Sequence, residues 1–321
     1  MVFGGFGPVA HGLYVCGIPW SPVYLLDSKQ PLLFEAGFTC TWRIAEQMIR
    51  SVSLNREPEI LFLTHVHWDH CGAAGYLRRA FPGLRVAASM RAAEIMKRPN
   101  AISLMTELSA QIAPKVASIN GVDASQLSNE PFLPFHVDLI VKDGQTLELG
   151  TDVAVRVLAT PGHTRDHVSY YIAEKKILIA TEACGCLDRA GQFITEFLVD
   201  YDAYLASLER LAALPSEILC QGHHFVLVGV REVKDFFARS IREAGAFRAR
   251  VYELLDAEGG DAERVVARIK AEQYDANPHV KQLEQAYLLN VRAQVAHLAT
   301  KKAVNSDQRT ETEKRRYEPE L

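Results

Sequence analysis

Between residues 60 and 71 the chain reads Ile60-Leu61-Phe62-Leu63-Thr64-His65-Val66-His67-Trp68-Asp69-His70-Cys71. An apolar run of this kind is a buried strand by pattern, and it opens directly onto three imidazoles and a carboxylate. Any fold for this chain must therefore bring a strand end to a site. His65 and His67 alternate with Val66, so both rings can project to one side of an extended segment. Asp69 and His70 fall at the turn into a helix expected to start at Cys71-Gly72-Ala73-Ala74, where they face a second point nearby. One loop can thus serve two adjacent metal ions. Imidazole with carboxylate suits zinc, iron(II), manganese or cobalt without choosing among them. Chance supplies such a string in roughly one chain in a thousand, so metal binding outweighs the reading of scattered surface histidines.

Three further features come later. Thr160-Pro161-Gly162-His163-Thr164 follows an expected strand at 153–158 and sets His163 on a Pro-Gly turn. Ile179-Ala180-Thr181-Glu182 ends a strand with a carboxylate, and Gln221-Gly222-His223-His224 follows a strand at 217–220. Each lies just past a strand terminus, where α/β proteins gather their sites. His224 would point away from its neighbour in an extended segment, so no ligand role is expected for it.

Strands come in two batches. The first is expected at 12–16, 23–26, 31–34, 59–64 and 84–88, with helices at 41–54, 71–80, 89–97 and 101–118. The second is expected at 153–158, 168–172, 176–180 and 217–220, with a helix at 201–213. This implies an α/β fold in which two packed sheets are flanked by helices, an αββα sandwich. Beyond Gly229 the period is helical at 232–256, 261–273 and 280–299. The expected division is a catalytic domain over 1–230, an all-helical C-terminal extension over 231–300, and a disordered tail over 301–321, where the residues are polar and charge-mixed.

A net charge of −4 and a pI near 6.3 give no electrostatic pull toward nucleic acid or an anionic membrane, leaving a small molecule as the expected partner. The six cysteines are scattered rather than framed for disulfides, and neither a leader-like segment nor an 18-residue apolar run occurs. A reducing cytoplasm is the expected location. A homodimer is left open.

With these motifs in place, the chain resembles the metallo-β-lactamase-fold hydrolases over about residues 10–225. Within that superfamily it is similar to two thioesterase branches. The quinolone-signal (2-aminobenzoylacetyl-CoA) thioesterases share the helical extension and a counterpart of residues 202–211. The glyoxalase II enzymes share T-P-G-H-T-R-D-H-V-S-Y-Y at 160–171. The resemblance implies that His65, His67 and His163 hold one metal and that Asp69, His70 and His223 hold another, with Glu182 where the family has a bridging aspartate. It further implies two divalent ions, zinc or iron with manganese admissible, and a bridging hydroxide that attacks a thioester or related acyl ester. Asp69 would also relay the proton. A lactonase, a phosphodiesterase, a di-iron oxidoreductase and a metal-stabilised signalling protein are the alternatives.

Two departures stand out. Glu182 is a methylene longer than aspartate, and Glu35-Ala36-Gly37 replaces an Asp-Thr-Gly turn. Glu35, His167 and Cys184 are candidates to support the ligands from behind, against plainer readings as a strand-end carboxylate, a strand residue and a small core residue. Trp68 could wall the cleft, and Tyr201 or Tyr204 could offer a hydroxyl. Phe236, Phe237, Phe247 and Tyr252 are either core or part of a lid shaping an apolar acyl pocket.

Overall fold

In the computed structural model the described residues are 1–54, 56–149, 153–278 and 281–317, with side chains through 304. The first half runs β1 (Val2–Phe3), β2 (Gly7–Ala10), β3 (Leu13–Ile18), β4 (Ser21–Leu26), β5 (Leu32–Phe34), α1 (Trp42–Ser53), β6 (Ile60–Phe62), α2 (Trp68–Cys71), α3 (Ala74–Ala80), β7 (Arg85–Ser89), α4 (Met90–Ile95), α5 (Pro99–Ala117) and β8 (Leu139–Val141). The second half adds β9 (Thr146–Glu148), β10 (Ala154–Ala159), β11 (Val168–Ile172), β12 (Ile177–Ile179), β13 (Cys186–Leu187), β14 (Phe193–Ile194), α6 (Tyr201–Ala212), β15 (Ile218–Cys220) and β16 (Val226–Val228). Helices α7 (Val230–Ala257), α8 (Ala262–Ile269) and α9 (Glu284–Tyr317) complete it.

Two seven-stranded sheets form, ordered β2-β3-β4-β5-β6-β7-β8 and β1-β16-β15-β12-β11-β10-β9. The central strands β4, β5, β6, β12 and β15 are buried on both faces because both faces are covered. In β6, Ile60 and Phe62 point between the sheets while Leu61 points outward, under α1 and α3. In β12, Ile177 and Ile179 point inward, and Leu178 joins the core beneath the C-terminal helices. The αββα sandwich is therefore what these residues build. Helices α7 to α9 share one apolar core with the second sheet, through Leu219, Phe236, Val251, Val265 and Val295.

Parallel pairing sets where the site falls. Strands β5, β6 and β7 run parallel, as do β12 and β15, so their C-terminal ends collect Glu35, His65, Glu182 and His223 at one edge of the sandwich. Two tyrosines fasten the sheets there: Tyr170 Oη donates to the Leu63 carbonyl at 2.8 Å, and Tyr24 Oη to the Gln221 carbonyl at 2.7 Å.

Some expectations are corrected. The helix expected over 71–80 begins earlier, as the single turn α2, and resumes as α3, which places Asp69 and His70 within a helical turn. The third helical stretch of the extension, expected over 280–299, starts at Glu284, and residues 279–280 fall outside the described set. The tail from 301 was expected to lack structure, yet α9 continues through Tyr317; residues 318–321 lie outside the described set. Lys, Glu, Arg and Ala favour helix without an apolar face, so a packed helix propagates through them. Among the described residues no helix is long and apolar enough to cross a membrane.

Candidate metal centre

The side chains of the cluster come from strand ends and the short helical turns that follow them, and several of these stretches are pinned by hydrogen bonds. Glu35 sits just past β5 at φ 62°, outside the region most L-residues adopt. Its carboxylate accepts from the Thr64 amide (2.8 Å) and from His70 Nδ1 (2.8 Å). That fixes the end of β6 and the orientation of His70 together. Asp166 accepts from the Val66 amide at 3.0 Å, holding the stretch between His65 and His67. Behind His65 a chain of hydroxyls, Thr64 to Thr181 at 2.9 Å and Thr181 to His167 Nε2 at 2.9 Å, joins β6 to the turn carrying Glu182.

Four groups of ligand atoms result among the described residues, one of them Glu35, His65 and His70. Those of His65, His67 and His163 lie within 4.8 Å of one another, and so do those of Asp69, His70 and His223. His67 Nδ1 and His163 Nε2 stand 3.1 Å apart, and His163 turns its Nδ1 to the Glu196 carbonyl. His223 gives its Nδ1 to the Trp20 carbonyl at 2.7 Å, leaving Nε2 facing Asp69 Oδ2 (3.7 Å) and Glu182 Oε1 (3.1 Å). Glu182 stands between the groups, 3.0 Å from His70 Nε2 and 3.8 Å from His65 Nε2. His65, His167 and Glu182 make a further group.

The longer Glu182 side chain finds its room at Gly222. A Cβ there would collide with Glu182 Oε1, so the carboxylate lies directly against the glycine backbone. Thr181, at φ 43°, turns the chain just before it, a strained setting for a β-branched residue.

Charge divides the cluster. Burial holds His65 and His163 well below the usual imidazole value, reinforced by neighbouring imidazoles, and burial lowers His67 as well. Burial also works against protonated His70 and His223, but Glu182 overrides it in both, helped by Asp69. His70 is held well above its usual value and His223 is raised. Glu182 in turn lies well below the carboxylate range: burial favours its neutral form, and the two imidazoles outweigh that.

The cluster floors a cavity of about 430 Å³. Trp20, Phe38, Trp68, Leu108 and Ile112 line it, together with Gln273, Tyr274, Lys281, Ala286 and Tyr287 from the extension. Trp68 stacks on Phe38 with ring centroids 5.3 Å apart. Of the aromatic residues in the extension, Phe236, Phe237 and Phe247 pack into the core, whereas Tyr274 and Tyr287 reach the cavity.

Compared with known proteins, residues 21–223 match the metallo-beta-lactamase superfamily. The chain belongs to that superfamily. By family it is a metal-dependent hydrolase. It is 30% identical over 189 residues to a hydroxyacylglutathione hydrolase of Acidiphilium cryptum, an alignment covering 58% of this chain and 70% of that one. A hydroxyacylglutathione hydrolase of Nitrobacter winogradskyi is 29% identical, with 56% of this chain and 54% of that one covered. Among solved structures, a metallo-beta-lactamase family protein of Thermus thermophilus superposes with a TM-score of 0.63 at 20% identity, over 93% of this chain and 95% of that one.

The residues present fit the superfamily's metal requirement. His65 Nε2 and both Glu182 oxygens are buried with no hydrogen bond, because the 3.0 and 3.1 Å contacts from His70 and His223 are misaligned for one. Buried polar atoms rarely stay unpaired, and these converge on space a cation would complete. His167 instead gives both nitrogens to hydroxyls, Thr160 and Thr181, each at 2.9 Å. Cys184 turns its thiol to the Thr181 carbonyl, and burial pushes that thiol well above its usual value, away from the thiolate a metal needs. Tyr201 packs within the apolar core; Tyr204 accepts from the Glu196 amide at 3.4 Å. Pattern reading missed Asp166, Trp20 and Glu196. Only Asp166, inside the T-R-D-H string, carried a visible signal; the other two orient ligands through backbone carbonyls, which any residue possesses.

Proposed function

We propose that this chain is a dinuclear thioesterase acting on a small acyl substrate. The observation that carries the reading is the convergence of seven side chains at a largely apolar cavity. The hydroxyacylglutathione hydrolase relatives support the thioester class, which their name states of them. His65, His67 and His163 would hold one cation, and Asp69, His70 and His223 the other, with Glu182 between. Bound there, divalent cations supply a Lewis acid for a carbonyl oxygen and a water of lowered pKa.

The remaining work belongs to the chain. Glu35 keeps the His70 ring aimed into the site through its 2.8 Å hydrogen bond. Asp69 is about one-fifth exposed at the cavity floor, so its carboxylate can take the proton released as the carbon–oxygen bond forms. The carbon–sulfur bond then breaks, and a thiolate leaves without needing that proton first. Trp68, Phe38 and Tyr287 keep bulk water from the acyl group.

The test is metal analysis of protein purified without added metal, together with turnover of acyl thioesters, lactones and phosphodiesters. Two metals per chain and selective thioester hydrolysis are expected. Fewer than one metal per chain, or a lactone or phosphodiester preferred over every thioester, overturns the reading.

A further inference from the structure

Gln221 lies between β15 and His223, and it is fully buried. Its side chain completes a backbone ladder. The Leu187 amide donates to Oε1 at 3.0 Å, and Nε2 donates back to the Leu187 carbonyl at 2.9 Å. Nε2 also donates to the His223 carbonyl at 2.5 Å, which takes the Phe225 amide as well. The orientation of the side-chain amide follows from these partners. Reversed, it would set Oε1 against two carbonyls and Nε2 against the Leu187 N–H.

What Gln221 grips is a wall of the cavity. Among the described residues β13 and β14 pair with each other, outside both seven-stranded sheets. A two-stranded hairpin is marginal by itself, so its place is set by what holds it. From α7, Arg239 Nη2 donates to the Gly191 carbonyl at 2.9 Å, and from the extension Asn277 Nδ2 donates to Asp188 Oδ2 at 3.0 Å. Gln221 holds the hairpin from the side of the metal cluster. Cys186, Asp188, Gln192, Phe193 and Ile194 of this hairpin line the same cavity as His223 and Glu182. An apolar side chain of equal length at 221 would fill the space, yet it would remove both bonds to Leu187 and the one to His223.

We propose that Gln221 is a positioning residue for the hydrolytic reaction, tying the β13–β14 wall to the loop of His223. A substrate resting on the wall is thereby kept in register with the cation position that His223 helps to form. Order at either end of the link is felt at the other, since such coupling is reciprocal. The proposal rests on the thioesterase reading for its kinetic consequence, and on the hydrogen bonds of Gln221 for the coupling.

The test reads the Leu187 amide, whose protection from hydrogen exchange reports its bond to Gln221 Oε1. Exchange is followed by NMR on zinc-loaded and chelator-stripped wild type, Gln221→Met and Arg239→Ala. Zinc is expected to slow exchange at Leu187 about tenfold in wild type, and equally in Arg239→Ala, which loosens the wall from its other side. In Gln221→Met the amide exchanges fast with or without zinc, and zinc affinity falls about tenfold. Kinetics on an acyl thioester separate the two variants. Arg239→Ala raises KM alone, whereas Gln221→Met also lowers kcat by about tenfold. Should Gln221→Met fail to fold, Gln221→Leu takes its place, and the wild-type comparison can refute the coupling without either. Leu187 exchange that ignores zinc in wild type, or a zinc response that survives the loss of the amide, overturns the proposal. So does the same kinetic change in both variants. Should wild type turn over no thioester, the function reading fails by itself, and exchange at Leu187 still decides the role of Gln221.

Discussion

The trio His65, His67 and His163 and the quartet Asp69, His70, Glu182 and His223 sit side by side, yet they manage charge in opposite ways. Burial keeps the trio neutral, with lone pairs ready for a cation. In the quartet the carboxylates hold protons on His70 and His223, against the burial that would strip them. A metal arriving at the trio displaces little. A metal at the quartet would compete with protons on His70 and His223, which Glu182 favours. Two positions in one cluster can therefore differ in affinity without differing in the number of ligands.

The strongest way to break this contrast is His67→Ala. It removes a trio ligand, and activity should fall on the order of 1000-fold with loss of at least one metal per chain, read by kinetics and elemental analysis. Full activity and metal content would dissolve the trio as a unit. The acid dependence of the quartet is expected to be the next largest effect. His70 and His223 titrate above the usual imidazole value, so a cation competes with their protons. Affinity there rises with pH, by up to about 100-fold per unit for two protons, and flattens above the raised pKa values. The trio, already neutral, changes little across the neutral range. Metal content measured while lowering pH should show one ion leaving before the other, with proton release on rebinding seen by calorimetry in buffers of different ionisation enthalpy. A single shared midpoint would remove the distinction. Smallest of the three is Glu35→Gln, which weakens the hold on His70 and should reduce quartet affinity by about 10- to 100-fold while sparing the trio. Equal loss at both positions would mean that Glu35 acts through the strand end rather than through His70.

Much of this architecture was legible in the residues because burial leaves a periodic trace. Strands covered on both faces read as unbroken apolar runs, and the polar cluster after Leu63 marked a strand end at the site. His163, Glu182 and His223 were legible for the same reason, each standing after a strand. Other parts left no trace. The carbonyls of Trp20 and Glu196 orient ligands whatever side chain they carry. The place of Tyr274 and Tyr287 in the cavity lining depends on how the chain returns across α5, where Leu283 and Ala286 share an apolar cluster with Leu108 and Ile112. The φ of 64° at His224 is a backbone angle and has no letter of its own. The room for Glu182 was hidden in Gly222, a residue easily taken for a simple turn former.

The two tyrosine hydroxyls that cross between the sheets have a further consequence. One leaf of the sandwich carries His65, His67, Asp69 and His70, and the other carries His163, Glu182 and His223. The gap between leaves is therefore also the gap between the two sets of candidate ligands, and Tyr24 and Tyr170 span it from inside the fold. The centre works as a caliper. A change deep in the interleaf core, at Phe34 or Phe62 for instance, would register first as altered metal retention, with no ligand touched.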